Sequence, residues 1–176
     1  MRLDDGILLV VKACGSNPVG RTALQKLMYF ASKLGVVEAE FGAHYYGPYS
    51  QQVANEVASL VDLDFLDECS GFMYASGNTG YSYRLTDDGQ KVLTDANGHK
   101  AAIEKVVSFA VSHFALNPQL LATAAKVHFI LEKSGEPLVP QKIREKAGHL
   151  GWDIDEPGIV KVIDYLKELG LANTGS

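Results

Sequence analysis

Cysteine is nearly absent from this chain. Cys14 and Cys69 are the only two among 176 residues, and no Cys-x-x-Cys pair occurs. A disulfide framework is thereby excluded as the basis of the fold, and both thiols are expected to be free and buried. Long apolar runs are missing too: none approaches the roughly 18–20 residues that a bilayer-spanning helix needs. The apolar stretch Ile7–Val11 is too short for the core of a signal peptide, and Asp4-Asp5 stand where positive charge belongs. A cytoplasmic protein with no membrane partner is expected. Excess positive charge is also lacking, since 16 Lys/Arg face 21 Asp/Glu for a formal net charge of −5. Residues 1–97 hold 7 basic and 12 acidic side chains, whereas residues 98–176 hold 9 of each. Neither half is the basic body of a non-specific nucleic-acid binder.

The usual carriers of chemistry are missing as well. There is no Gly-x-Ser-x-Gly elbow for a hydrolase, and no Gly-x-Gly-x-x-Gly or Gly-Lys-Ser/Thr loop to cradle phosphates. The five histidines, at 44, 99, 113, 128 and 149, are scattered and lack metal-ligand spacing. His149, Asp153, Asp155 and Glu156 gather at one turn, where helix capping accounts for the acids. No catalytic residue, metal or cofactor is expected.

What the chain does have is an apolar fraction of 47%, enough for a core, and a regular succession of helical stripes. Leu3, Ile7, Val10 and Val11 predict a first helix over 3–14, stopped by Gly15-Ser16-Asn17-Pro18. Thr22-Ala-Leu-Gln25 reads as a capping box opening a second helix through Leu24, Leu27, Met28, Ala31 and Leu34, with Arg21, Lys26 and Lys33 on a solvated or phosphate-facing side. A short strand is expected to meet Gly47-Pro48 as a hard corner. Ser50 then caps a third helix with Val53, Val57, Leu60 and Val61 on one face. An acidic connection, Asp62–Glu68, leads to a hairpin of Phe72–Ala75 and Tyr81–Leu85 across Ser76–Gly80. Thr86 is placed to cap the next helix.

Asp95-Ala96-Asn97-Gly98 reads as a boundary. Helical patterns follow around Ile103–Phe114, Leu120–Leu131, Ile143–Leu150 and Ile159–Leu169, punctuated by Asn117-Pro118, Ser134-Gly135, Pro140, Gly151, Pro157 and Gly170. The expected fold is mainly α with a short β-hairpin. Residues 1–97 form a winged helix-turn-helix-like half, and residues 98–176 a three- to four-helix bundle of helix-turn-helix-like order. Small residues at Ala54, Ala58, Ala124 and Ala125 permit close helix packing between halves or between chains.

Two uncommon strings occur in order in the first half: Arg21-Thr22-x-Leu24-Gln25-Lys26-Leu27-x-Tyr29-Phe30, then Tyr46-Gly47-Pro48-Tyr49-Ser50 before a Val-rich helix. Over roughly residues 5–95 this resembles YwgA-like proteins and the related Panacea antitoxin-type domain. The Panacea resemblance implies recognition of protein surfaces, a toxin among them, rather than catalysis.

Two functions remain open on the residues themselves. Tyr45, Tyr46 and Tyr49 either brace the corner, with Tyr46 and Tyr49 against Tyr29 and Phe30, or form a rigid patch for a protein partner. Double-stranded DNA is the alternative partner. Gln51, Gln52 and Asn55 could read bases from the third helix, with Arg21, Lys26, Arg84 and the cluster Lys142, Arg144 and Lys146 on phosphates. The third helix holds no Lys or Arg, so this second reading calls for a homodimer that doubles the cations.

Overall fold

The computed structural model describes residues 1–16, 18–73, 79–93 and 99–172. The expected boundary at 95–98 and most of the hairpin tip lie outside them. Helices form where apolar side chains recur at helical spacing: α1 (Leu3–Ala13), α2 (Arg21–Lys33), α3 (Gln51–Asp62), α4 (Asp87–Val92), α5 (Lys100–Phe114), α6 (Pro118–Ser134), α7 (Pro140–His149) and α8 (Glu156–Glu168). Three strands join them: β1 (Val19–Gly20), β2 (Leu66–Met73) and β3 (Thr79–Leu85). The protein is mainly helical with one small antiparallel sheet, in the order β1-β3-β2.

Several ends are set by single side chains. Ser50 Oγ accepts from Val53 N at 3.3 Å, Thr86 Oγ1 from Gly89 N at 2.9 Å, and Asp155 from Gly158 N at 2.9 Å. Each satisfies an N–H that the first helical turn leaves without a partner. The capping box expected at Thr22–Gln25 does not form. Helix α2 begins at Arg21 after Gly20, with no side-chain cap bond, and Gln25 is drawn into the core. The hairpin also starts earlier than expected. Leu66, Asp67 and Glu68 belong to β2 and pair with Leu85, Arg84 and Tyr83, because Leu66 alternates inward against the helices. Cys14 is buried as expected, but Cys69 is exposed, since its stretch of β2 faces water.

Helix α2 is the centre of the molecule. Its residues Ala23–Ala31 are buried all the way round, which only a helix enclosed by neighbours achieves. Helices α1, α3, α5 and α6 pack on it, and α8 closes on α5 and α6. Buried residues from both halves of the chain form one continuous cluster. Small residues allow this closeness: Ala124 and Ala125 of α6 are fully buried.

Tyr165 of α8 lies in that shared core, with ring centroids 5.2 Å from Phe30 and 4.8 Å from Phe114. Among the described residues its hydroxyl has no hydrogen-bond partner, and burial pushes the phenol's pKa up. A buried hydroxyl without a partner forfeits about 1–3 kcal/mol. Tyr165→Phe keeps the ring contacts and removes that penalty. The expected result is a gain of about 1–2 kcal/mol in urea unfolding, with unchanged m-value.

Candidate functional site

The Tyr-Gly-Pro corner is built as a closed loop rather than as a strand end. Gly42 and Tyr49 exchange two backbone bonds, Gly42 N→Tyr49 O at 3.0 Å and Tyr49 N→Gly42 O at 2.9 Å. Gly47 N donates to His44 O at 2.9 Å and turns the chain with φ +92°. That angle favours glycine, and a Cβ there would also sit 3.0 Å from Lys126 Cγ and 3.4 Å from the Ala122 carbonyl of α6. The corner therefore lies flat on α6 because residue 47 has no side chain.

Buried polar side chains fasten it from beneath. Gln25 and Ser50 make a reciprocal pair: the Gln25 amide donates to Ser50 O at 3.0 Å, and Ser50 N donates to Gln25 Oε1 at 3.1 Å. Lys26 reaches up from α2 and donates its Nζ to Pro48 O at 2.6 Å, with only 2% of the residue exposed. Trp152, after α7, donates Nε1 to His44 O at 2.7 Å. The backbone of one short loop is thus held by groups from α2 and from the far end of the chain. A backbone so held loses little further entropy when something binds its outer face.

That outer face carries tyrosine. Tyr45 is 72% exposed and Tyr46 61% exposed, their rings edge to face at 4.8 Å. Tyr49 is half-buried and lies against His44, with ring centroids 5.1 Å apart. The alternative in which Tyr46 and Tyr49 brace the corner against Tyr29 and Phe30 is not what occurs: Tyr46 meets Tyr45 and Tyr49 meets His44. Tyr29 instead meets Phe30, Phe41 and His128, and the corner is braced by hydrogen bonds that free Tyr46 for the surface.

Burial shapes the electrostatics beneath the corner. It lowers the Lys26 pKa to about 8, with the nearby Lys126 ammonium adding to the effect. Lys126 is itself lowered by burial, opposed by Asp153. Deeper in, Tyr29 Oη and His128 Nδ1 are 2.7 Å apart in a buried bond between α2 and α6. Burial lowers His128 to about 4, with Glu132 opposing and Lys33 reinforcing, while it pushes the Tyr29 phenol far up. Both groups are therefore neutral, and the bond joins a neutral phenol to a neutral imidazole.

Most of the expected DNA contacts are otherwise engaged. Lys26 is not on a phosphate-facing side at all: it is buried, because α2 is enclosed on every side. Arg21 donates to Tyr83 Oη at 3.0 Å and to Glu68 Oε2 at 3.0 Å, and its guanidinium lies 4.3 Å above the Tyr81 ring. Gln51 donates to Asn55 Oδ1 at 2.8 Å, and Gln52 Oε1 accepts from Glu40 N at 2.9 Å. Arg84 is exposed on β3 opposite Asp67. Lys142 pairs with Glu145 at 2.8 Å, Arg144 approaches Glu156 at 3.8 Å, and Lys146 is exposed. This last cluster sits on α7, which packs on α6 and α8.

Beside the corner, α3 and the sheet enclose a groove of about 340 Å³. Tyr49 and Gln25 line its corner end, Glu68 and Tyr83 of the sheet together with Arg21 at the start of α2 its wall, and the apolar face of α3 its floor. Among the described residues no group of three or more His, Cys, Asp or Glu is placed to hold a metal ion. No described helix is long and apolar enough to cross a membrane.

Sequence reasoning missed Lys26, Trp152 and His128 as structural anchors. The signal for Lys26 was its place within Leu24-Gln-Lys-Leu-Met-Tyr-Phe30, where too few polar positions remain for one solvated face. Trp152, the chain's one tryptophan, stood in a turn, and nothing local connects it to His44.

No protein-family model matches the chain. It is similar to the uncharacterized protein YwgA of Bacillus subtilis (strain 168), 35% identical over 91 residues. That match takes in 51% of this chain and 54% of the relative, so the chain spans about half the length of the curated protein it matches. The YwgA-like resemblance read from the two strings thus extends over about half of the chain.

Proposed function

We propose that this chain is a non-catalytic binding protein of the antitoxin or adaptor type, recognising another protein through its tyrosine corner. One observation carries the reading: Tyr45 and Tyr46 are 72% and 61% exposed on a loop whose backbone is fastened by buried Gln25, Lys26 and Trp152. Large aromatic side chains are seldom left in water, and pre-set ones are the usual energetic centres of protein interfaces. The helix–strand–helix–helix–hairpin order, with β1 laid against β3, supports a winged-helix-like arrangement behind the corner. Two free cysteines, one of them exposed on β2, fit a reducing cytoplasmic setting. The resemblance to antitoxin-type domains makes a toxin a natural class of partner.

The alternative, a DNA-binding regulator, keeps Arg84 and the α7 cluster but loses Lys26 to the core and Arg21 to an ion pair. Phosphate contacts supply most of the non-specific affinity for DNA, so this loss weighs against it.

The test is capture of cellular proteins on immobilised wild type and on Tyr45→Ala/Tyr46→Ala, followed by titration of the captured partner. Because both side chains are exposed, the double variant should unfold within about 0.5 kcal/mol of wild type. Its affinity for the partner should fall at least about 30-fold, the loss of about 2 kcal/mol expected of one interface hot spot. Equal affinity would reject the corner as the binding site. Salt-sensitive, saturable binding of duplex DNA fragments by fluorescence anisotropy would instead favour the regulator.

A further inference from the structure

The groove beside α3 has a composition of its own. Its floor is Leu24, Val53, Val57 and Val61, opened by the small side chains of Ala54 and Ala58. Ala58 is exposed and Val61 half-buried, so the apolar floor reaches the surface. At about 340 Å³ the groove is at the lower end of small-molecule pockets, of a size for one or two side chains.

Along α3 and the first half of β2 the charged side chains are all acidic. Between Lys33 and Arg84 the chain has no lysine or arginine, while seven Asp/Glu fall between Glu38 and Glu68. That stretch supplies both α3 and the first half of β2. Arg21 is the cation on the groove wall, and Glu68 at 3.0 Å already meets it. Asp62, at the end of α3, has no pairing side chain among the described residues, and Asp64 and Asp67 are exposed close by in sequence. An apolar floor under an anionic rim is complementary to an apolar side chain next to a cation. It repels a phosphate backbone.

We propose that this groove seats a segment of the protein partner in which arginine or lysine adjoins apolar residues. The apolar side chain fills the space over Ala54 and Ala58, and the cation meets Asp62. This rests on the protein-binding reading and gives the partner's chemistry. The groove shares Tyr49 with the corner, so one partner can cover both.

The probe is a fluorescein-labelled peptide alternating leucine and arginine, with a leucine–glutamate peptide as its counterpart. Binding is followed by anisotropy at low and high salt, and located by ¹H–¹⁵N spectra of the full chain. The leucine–arginine peptide should bind saturably, shift amides of residues 53–62 and 66–68, and weaken with salt; the leucine–glutamate peptide should not bind. Ala58→Arg, which fills the groove from an exposed position, and Asp62→Lys, which reverses the rim at a helix end that favours cations, should each weaken binding at least about tenfold without loss of fold.

Equal binding by Ala58→Arg, or shifts confined to other surfaces, overturns the proposal. So does concentration-dependent self-association abolished by Lys142→Glu/Arg144→Glu, which would make a second copy the occupant. With a captured partner in hand, loss of binding by Tyr45→Ala/Tyr46→Ala but not by Ala58→Arg would overturn the groove alone. Loss by Ala58→Arg but not by the tyrosine variant would support the groove and reject the corner.

Discussion

Lowering the pH from 6.5 to 4 is expected to remove about 3 kcal/mol of stability through His128 alone. Its folded pKa of about 4 lies well below the ordinary value of 6.5 because burial disfavours the charged ring, with Lys33 adding to this and Glu132 opposing it. Between those two pH values the unfolded chain binds a proton that the folded chain refuses. Protons therefore draw the equilibrium toward unfolding: the contribution is complete above 6.5 and is lost as the pH falls through 4. At about 1.4 kcal/mol for each unit, the gap amounts to about 3 kcal/mol. That is a large part of the roughly 5–15 kcal/mol typical of a folded protein. The same ring shares a 2.7 Å bond with the Tyr29 hydroxyl that joins α2 to α6. His128→Asn is the discriminating variant, since its side-chain carbonyl can accept from Tyr29 but does not titrate. Urea unfolding of both proteins across this range should show the wild type losing about 3 kcal/mol more than the variant. Parallel pH profiles would mean that His128 does not titrate in this way.

The second large effect concerns Lys26, and here two opposing terms nearly cancel in one variant and not in the other. Burial has brought its pKa down from 10.5 to about 8, so keeping the ammonium charged in the core at pH 7 costs about 3 kcal/mol. The charge-assisted bond to Pro48 O at 2.6 Å returns about 1.5–3 kcal/mol. Lys26→Met loses both and keeps the volume, so overall stability should change by no more than about 1 kcal/mol. The corner itself should loosen, with faster amide exchange at Gly42 and Tyr49 and weaker partner binding. Lys26→Ala additionally empties the space of the stem, and should be about 2–5 kcal/mol less stable than Lys26→Met. The pH dependence supplies a cross-check. Above pH 8 the unfolded chain holds the proton more tightly than the folded one, so wild-type stability should rise toward pH 10.5. Lys26→Met should lack that rise. A methionine variant with wild-type exchange at Tyr49 would show that the lysine does not hold the corner.

Both predictions concern groups whose importance is invisible locally, and the same division runs through the molecule. The helices were legible because their causes are local: apolar side chains recurring at helical spacing, Ser50, Thr86 and Asp155 at N-termini, and glycines such as Gly35 and Gly170 at ends with positive φ. The boundaries of the hairpin were less so. Leu66 starts β2 because it packs inward, while its neighbours Asp67 and Glu68 look like a solvated connection. The tyrosine corner was legible as a corner, from Gly47-Pro48, but not in its orientation.

By itself, then, the sequence determined the helical class, the presence of a β-hairpin, most of the places where helices start and stop, and an aromatic turn at Gly47-Pro48. Each follows from chemistry within a few residues of chain. Only the tertiary structure decided that Lys26 is an internal anchor rather than a surface cation, that Gln25 serves Ser50 rather than its own helix, and that Tyr46 faces water. Those outcomes depend on partners 22 and 25 residues away for Lys26 and Gln25, and 108 residues away for the Trp152 bond that holds His44. A helix enclosed on all sides must bury whatever polar residues it carries, and they are tolerated only where a distant backbone offers them a bond. Which backbone that is depends on how the helices are assembled, and no local pattern encodes it.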